Sequence, residues 1–313
     1  MIEKNAATFA EVNSLFANSD PDEVWLKASD IVRRISPAYD FSVARITFND
    51  IVRMFRGEYP GYAPIKTLYH DLRHTLDVFI CSARLMHGMY VSGTRLLDNE
   101  ITVIMIAALM HDIGYAQTLD EETGSGAQLT KSHIRRGIKF ALHYIAAQGF
   151  PHSLATPIKF MLCCTDPAVK ISEIKFPDER TRLLSQLIGT ADLTGQMADR
   201  TYLEKLLFLY LEFKEAQFGG YQNIYDLLCK TRDFYEFTRK RLDTGLGGTF
   251  HYLTFHFKDW YGIENNYYLE SIEKNIAYLS KITELNKTRQ LSMLKRGGIV
   301  KKSESLIAPE DLA

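Results

Sequence analysis

A chain of 313 residues with 46% hydrophobic and 24% charged residues is long enough for one large helical domain, or two smaller ones, around a sizeable core. An aromatic content of 12%, with 17 Tyr and 18 Phe, excludes disorder over most of its length. A formal net charge of −1 excludes the broad basic footprint of a nucleic-acid binder and leaves room only for a local patch able to meet a small phosphate ester.

The first residues, M-I-E-K-N-A-A-T-F-A-E-V-N-S-L-F, lack the basic-then-apolar profile of a secretory signal. Residues 13–55 read as two or three helices, broken near Asp20-Pro21 and Ser36-Pro37. The punctuation G-E-Y-P-G-Y-A-P at 57–64 precedes a helix expected over 66–90. The next helix, 97–110, is apolar nearly all round and so must be buried, with His111-Asp112 at its end and Ile113-Gly114 just beyond. Its densest stretch, 101–110 with Thr102 inside it, is half the length of a membrane span.

The run G-S-G-A-Q at 124–128 reads as a mobile loop. Helices follow at 130–148 and 153–164, then a loop over 166–178 and long helical segments at 179–217 and 221–242. Gly245 to Gly248, G-L-G-G, breaks the chain before an aromatic helical region, and 295–313 reads as a poorly ordered tail. Only nine prolines occur, and no period-2 alternation is long enough for a sheet, so the expected fold class is all-α. The divisions expected are an N-terminal helical segment (1–64), a core (65–244), a C-terminal helical extension (245–294) and a flexible tail (295–313). Cys81, Cys163, Cys164 and Cys229 have neither zinc-type spacing nor a disulfide framework, which fits a cytoplasmic protein with no membrane partner.

Three segments carry chemistry. In Y-H-D-L-R-H-T-L-D-V, His70 and His74 are four apart and share a face if the segment is helical, with Asp77 three further on. Two imidazoles and a carboxylate on one stripe can ligate a metal or move protons beside it, although spaced histidines also arise in ordinary amphipathic helices. His111-Asp112 ends a buried helix, so its carboxylate needs a partner, and a metal ion is a good one. The alternative there is a helix-ending histidine with a solvated aspartate. Asp192 again follows a strongly apolar run. Mixed imidazole and carboxylate donors suit zinc, manganese, iron or magnesium.

This H…HD…D arrangement resembles the signature of the HD superfamily of metal-dependent phosphohydrolases, and most closely its cyclic-nucleotide phosphodiesterase branch. That branch carries Y-H-N-x-x-H-A-x-D-V, a buried A-x-x-H-D, then L-x-T-D and A-D-L. The corresponding blocks here are Y-H-D-L-R-H-T-L-D-V at 69–78, A-L-M-H-D at 108–112, L-C-C-T-D at 162–166 and T-A-D-L at 190–193, so the likeness spans about 66–213. It implies a multi-helix bundle in which His74, His111, Asp112 and Asp192 hold a first divalent ion and Asp112 bridges to a second. It further implies that His70 protonates the leaving oxygen and that Asp77 and Asp166 orient ligands and waters.

The chain also departs from that pattern. Asp71 stands where the branch has Asn, adding negative charge beside His70. The nearest counterpart to the branch's purine-clamping glutamine is Gln222, with Tyr225 as its aromatic companion, after a shortened gap. His133 is similar to a further histidine that some binuclear members place on the second metal, and Lys131, Arg135 and Arg136 beside it could meet phosphate oxygens. His87, His143, His152, His251 and His256 fall in no such pattern and read as structural.

The resemblance implies hydrolysis of a phosphodiester such as a 3',5'-cyclic nucleotide, through a metal-activated hydroxide, with His70 as general acid. It implies two divalent ions as cofactors. The partner is a small phosphorylated or cyclic nucleotide, with no nucleic acid and no membrane, and a homodimer is compatible. The alternatives are a nucleotidase or other phosphomonoesterase of the same superfamily, a di-iron HD-type oxygenase, and a non-catalytic sensor that keeps the fold.

Overall fold

A helix with no polar face has nowhere to go but the interior, and α4 (Asp98–Met110) occupies it, buried from Ile101 to Met110 except at Thr102. Around it lie α2 (Ser42–Arg56), α3 (Leu72–Val91), α6 (Ala155–Thr165) and α7 (Glu179–Ala198). α1 (Pro21–Ile35) packs on α3, and α5 (His133–Ala147) covers the chain that leaves α4. α8 (Tyr202–Glu215), α9 (Ile224–Lys240), α10 (Tyr252–Tyr261), α11 (Tyr267–Thr283), α12 (Lys287–Met293) and α13 (Ile299–Glu304) complete the chain. This computed structural model describes residues 15–16, 19–308 and 311. Among them every regular element is helical, apart from one isolated bridge between Tyr62 and Thr118, and the chain is all-α as its sequence predicts. No helix among the described residues is long and apolar enough to cross a membrane.

Helix starts are set by side-chain caps. Asp20 accepts from the amides of Asp22 and Glu23, with Pro21 opening α1. Asp71 accepts from the His74 amide at 2.8 Å and starts α3 at Leu72, six residues later than expected, so residues 66–71 approach in extended and bent conformation. Asn223 caps α9 through the Asp226 amide. Most of the expected helix before Asp20 lies outside the described residues.

The expected helix over 179–217 is broken at Asp199. Its carboxylate accepts from the Thr201 amide and pairs with Arg73 at 2.8 Å and Lys205 at 3.1 Å, which tethers the α7–α8 turn to the start of α3. Close backbone approaches fix the neighbouring layers. A Cβ on Gly189 would sit 2.6 Å from the Cys164 carbonyl oxygen, and one on Gly88 1.7 Å from that of Tyr252, so α6 packs tightly on α7 and α10 on α3.

Two stretches expected to be mobile are held by side chains. Ser125, in the G-S-G-A-Q run, gives its amide and hydroxyl to Glu215 at 2.8 and 2.7 Å, and Gln128 donates to Gln117. In the C-terminal stretch α13 lies on α8, Ile299 is buried with Tyr69 and Phe208, and Asp311 accepts from Tyr210 and pairs with Lys214. Neither set of contacts could be seen from local composition, because the main partners, Glu215, Tyr210, Lys214 and Phe208, lie on distant α8.

Candidate metal centre and its cavity

Three buried elements converge on one point. His74 comes from the first turn of α3, His111 from the end of α4, Asp112 from the turn after it, and Asp192 from α7. Nε2 of His111 lies 3.0 Å from Nε2 of His74 and 3.0 Å from Oδ2 of Asp112. His74 Nε2 is 3.3 Å from both Asp112 Oδ2 and Asp192 Oδ1, and Asp192 Oδ1 is 3.8 Å from His111 Nε2. His74, His111 and Asp112 together satisfy the spacing of a metal-holding group, with Asp192 at its edge.

The donor set itself tests whether a cation fits. His111 gives its Nδ1 proton to the Ala108 carbonyl at 2.9 Å, which leaves the Nε2 lone pair facing the cluster. Asp112 Oδ2 is buried and accepts no hydrogen bond of proper geometry, an expensive state for a carboxylate oxygen. Converging lone pairs around such an oxygen are what a divalent ion with nitrogen and oxygen ligands requires. Burial disfavours the charged form of His74, but the adjacent carboxylates of Asp112 and Asp192 outweigh this and raise its pKa to about 10. Burial likewise opposes ionisation of Asp112, and the charges of His111 and His70 hold its pKa well below the usual carboxylate range.

The other oxygen of Asp112 faces away from this cluster. Oδ1 lies 3.6 Å from Nε2 of His133, the first residue of α5. His133 gives Nδ1 to the Thr130 carbonyl at 2.6 Å, and burial lowers its pKa despite Asp112 nearby, so a neutral ring presents Nε2. A Cβ on Gly114 would lie 1.8 Å from the His133 carbonyl oxygen and 2.8 Å from the Gly137 amide. Only glycine lets α5 come this close. Arg136 strengthens the joint by donating to the carbonyls of Gly114 and Ala116; it is structural and does not line the cavity.

His70 corrects the sequence reading in one respect. It precedes the α3 cap and so does not share a helical face with His74; the loop presents it. Its Nδ1 is 2.5 Å from Oε2 of Glu212, a buried carboxylate on α8 whose Oε1 also accepts the Tyr69 amide at 2.6 Å. Burial works to lower the His70 pKa, but Glu212 and Asp112 outweigh it and raise the value. Asp71 faces the α3 amides and, at 3.9 Å, Lys205, so its charge serves the helix start and not the imidazole. The Tyr115 ring stacks on both His70 and His133, with centroids 4.8 and 4.7 Å away.

The centre opens into a cavity of about 780 Å³ that His70, His74, Asp112, His133, Asp166 and Asp192 help to line. Lys131 and Arg135 also line it, Lys131 already donating to the Gln217 carbonyl. Asp166 turns its carboxylate into its own loop, accepting from the Ala168 amide. Asp77 lies one turn beyond His74 on α3, 4.0 Å from Arg73, and does not line the cavity. The expected base clamp is not assembled. Gln222 is exposed on the capping loop of α9, and Tyr225 is buried elsewhere under Lys287; Tyr221 lines the cavity instead.

Glu212, Tyr115 and Gln196 were not foreseen. Gln196, one turn after Asp192, accepts from the Tyr69 hydroxyl at 2.7 Å and donates towards Asp192 at 3.5 Å. Its helical spacing from Asp192 was a usable signal; Glu212 offered none, lying 142 positions from His70.

A family model described as Npun_R2479-like matches residues 118–267, to which this part of the chain is therefore similar. The matched stretch holds His133, Asp192 and Glu212 and excludes His70, His74, His111 and Asp112. No curated protein matches the chain.

Proposed function

We propose that this chain is a metal-dependent phosphohydrolase of the HD type, in which His74, His111, Asp112 and Asp192 hold one divalent ion and Asp112 and His133 contribute to a second. One observation carries the reading. The buried, unbonded Oδ2 of Asp112 stands among two imidazole nitrogens and a second carboxylate, at the wall of a cavity large enough for a substrate.

When bound, such an ion supplies Lewis acidity at a phosphoryl oxygen and lowers the pKa of water towards about 7. The chain's own residues supply orientation and proton transfer. Glu212 fixes the His70 ring through Nδ1 and favours its protonated form, so His70 serves as donor to the departing oxygen. Tyr69 and Gln196 brace Asp192, and the Thr130 carbonyl braces His133. Lys131 and Arg135 bring positive charge to the cavity wall, where phosphoryl oxygens can use it.

Gln222 lies outside the cavity, which weakens the case for a purine cyclic nucleotide and favours the broader class of phosphoesters. Metal analysis of the purified chain, with hydrolysis of bis(p-nitrophenyl) phosphate, cyclic nucleotides and nucleoside monophosphates, tests the reading. Chelation should abolish turnover and Mn²⁺ should restore it; full turnover in metal-free protein overturns it. A di-iron oxygenase is the second reading, favoured by the neutral His133 aimed at Asp112. Dioxygen uptake by Fe²⁺-loaded protein, without phosphate release from any ester, would select it.

A further inference from the structure

Away from the metal centre the cavity changes character. Its walls are aliphatic and aromatic side chains of four helices, among them Ile138 of α5, Leu193 of α7, Leu209 and Phe213 of α8, and Leu227 and Phe234 of α9. Four of the neutral polar groups between them are already engaged, which leaves the hydroxyls of Tyr202 and Tyr221 among the few others on the walls. The hydroxyls of Thr130, Thr165 and Thr231 donate to the carbonyls of Ala127, Leu162 and Leu227, and Gln196 is held between Tyr69 and Asp192. A nucleobase placed against the aliphatic walls would leave much of its polar edge unpaired, a state that binding sites reject strongly. A saturated chain needs no partner and gains from every methylene it buries.

The rim continues the apolar surface outward. Gln217, the one residue besides glycine with left-handed backbone among the described residues (φ 48°), turns the chain after α8. Phe218 and Tyr221 then stack on Phe213, with centroids 4.9 and 5.4 Å apart. Phe218 lines the cavity while remaining 43% exposed, an arrangement that provides an apolar path from the interior to the surface.

We infer that the cavity takes an amphiphilic ligand: an anionic phosphate head at the His74–His111–Asp112–Asp192 centre, joined to an extended alkyl or isoprenoid chain lying against α8 and α9. The identity of the head rests on the phosphohydrolase reading above; the apolar chain rests on the walls alone.

The test is calorimetric titration of the Mn²⁺-loaded protein with butyl-, octyl- and dodecylphosphonate, which cannot be hydrolysed as esters. Affinity should rise about threefold to fourfold per added methylene and level off once the walls are covered. Leu209→Trp, which fills half-buried space in the wall, should make affinity level off at a shorter chain and leave butylphosphonate binding unchanged. Phe218→Ser, at an exposed position, keeps the test open if the tryptophan variant folds poorly, and should weaken the dodecyl compound at least tenfold. Equal affinity across the series overturns the inference, even if bis(p-nitrophenyl) phosphate is hydrolysed. Conversely, chain-length dependence that persists after chelation, in a protein that hydrolyses no ester, upholds the apolar site and removes the phosphohydrolase reading.

Discussion

Nδ1 of His70 and Oε2 of Glu212 lie 2.5 Å apart, and this contact joins the loop before α3 to the far end of α8. It fixes which ring nitrogen of His70 is engaged and, with Asp112, raises the pKa of the imidazole against the effect of burial. On the proposed reading, the proton for a departing oxygen is therefore held to higher pH than an ordinary histidine would hold it.

Removing that carboxylate should have a defined signature. Glu212→Gln lowers the His70 pKa, so the descending limb of the kcat/KM profile moves to lower pH, with roughly a 10- to 100-fold loss on alkyl esters. His70→Ala should lose about 10²–10⁴-fold on the same esters and far less on an activated aryl diester. Metal content should be unchanged in both. Equal losses on the two substrate types would assign His70 another role.

His111→Ala and Asp112→Ala should each lose metal and activity together. In the wild-type chain, free metal at about 100 times its Kd adds about 2.7 kcal/mol to stability. Thermal scans with and without Mn²⁺ should then differ by several degrees for the wild type and coincide for the variants. An undiminished metal shift in either variant would remove it from the ligand set.

On the proposed reading, a second ion would depend on His133. His133→Ala should bind one metal per chain where the wild type binds two, as read by titration with Mn²⁺ or Zn²⁺. Gly114→Ala should do the same from a distance, because its Cβ would collide with the His133 carbonyl and push α5 away. A count of two in His133→Ala would mean that other donors hold the second ion.

A different pair contributes to acid stability. His256 of α10 is fully buried, with Nδ1 3.1 Å from Nδ1 of His87 on α3 and its Nε2 without a hydrogen-bond partner. Arg84 of α3 and Asp259 and Tyr261 of α10 are the other ionisable groups around the pair. Burial first, then the charges of Arg84 and His87, holds the His256 pKa well below 6.5. The unfolded chain binds this proton and the folded chain does not, so stability is complete above about pH 6.5 and falls below it. The slope should approach about 1.4 kcal/mol per pH unit. Urea melts of His256→Leu should show that acid slope reduced; an identical slope would place the titration elsewhere.

The sequence made the central helix and the converging residues legible because both are local signals. An apolar run interrupted only by Thr102 reads as the buried α4, and it carries His111-Asp112 inward at its end. His70 was misplaced onto a helix because the cap at Asp71 interrupts a stretch that otherwise reads as helical. Gln222 failed as a clamp for a similar reason, since Asn223 caps α9 and leaves Gln222 outside on the loop. Glu212 and Ile299 were invisible as a class. Their roles depend on partners that only the folded chain brings near, and in sequence each looks like an ordinary helix or tail residue.

The converging donors sit on α3, α4 and α7, at the heart of the bundle, whereas the apolar wall comes chiefly from α5, α8 and α9, and the aromatic rim from the α8–α9 turn. A substitution at exposed Phe218 should therefore disturb the core least, while on the proposed reading changes at His74, His111 or Gly114 should cost folding or the ion. Chemistry and selectivity can vary independently in such a molecule. A laboratory search for new substrates would do best to randomise the wall and rim and leave the three central helices fixed.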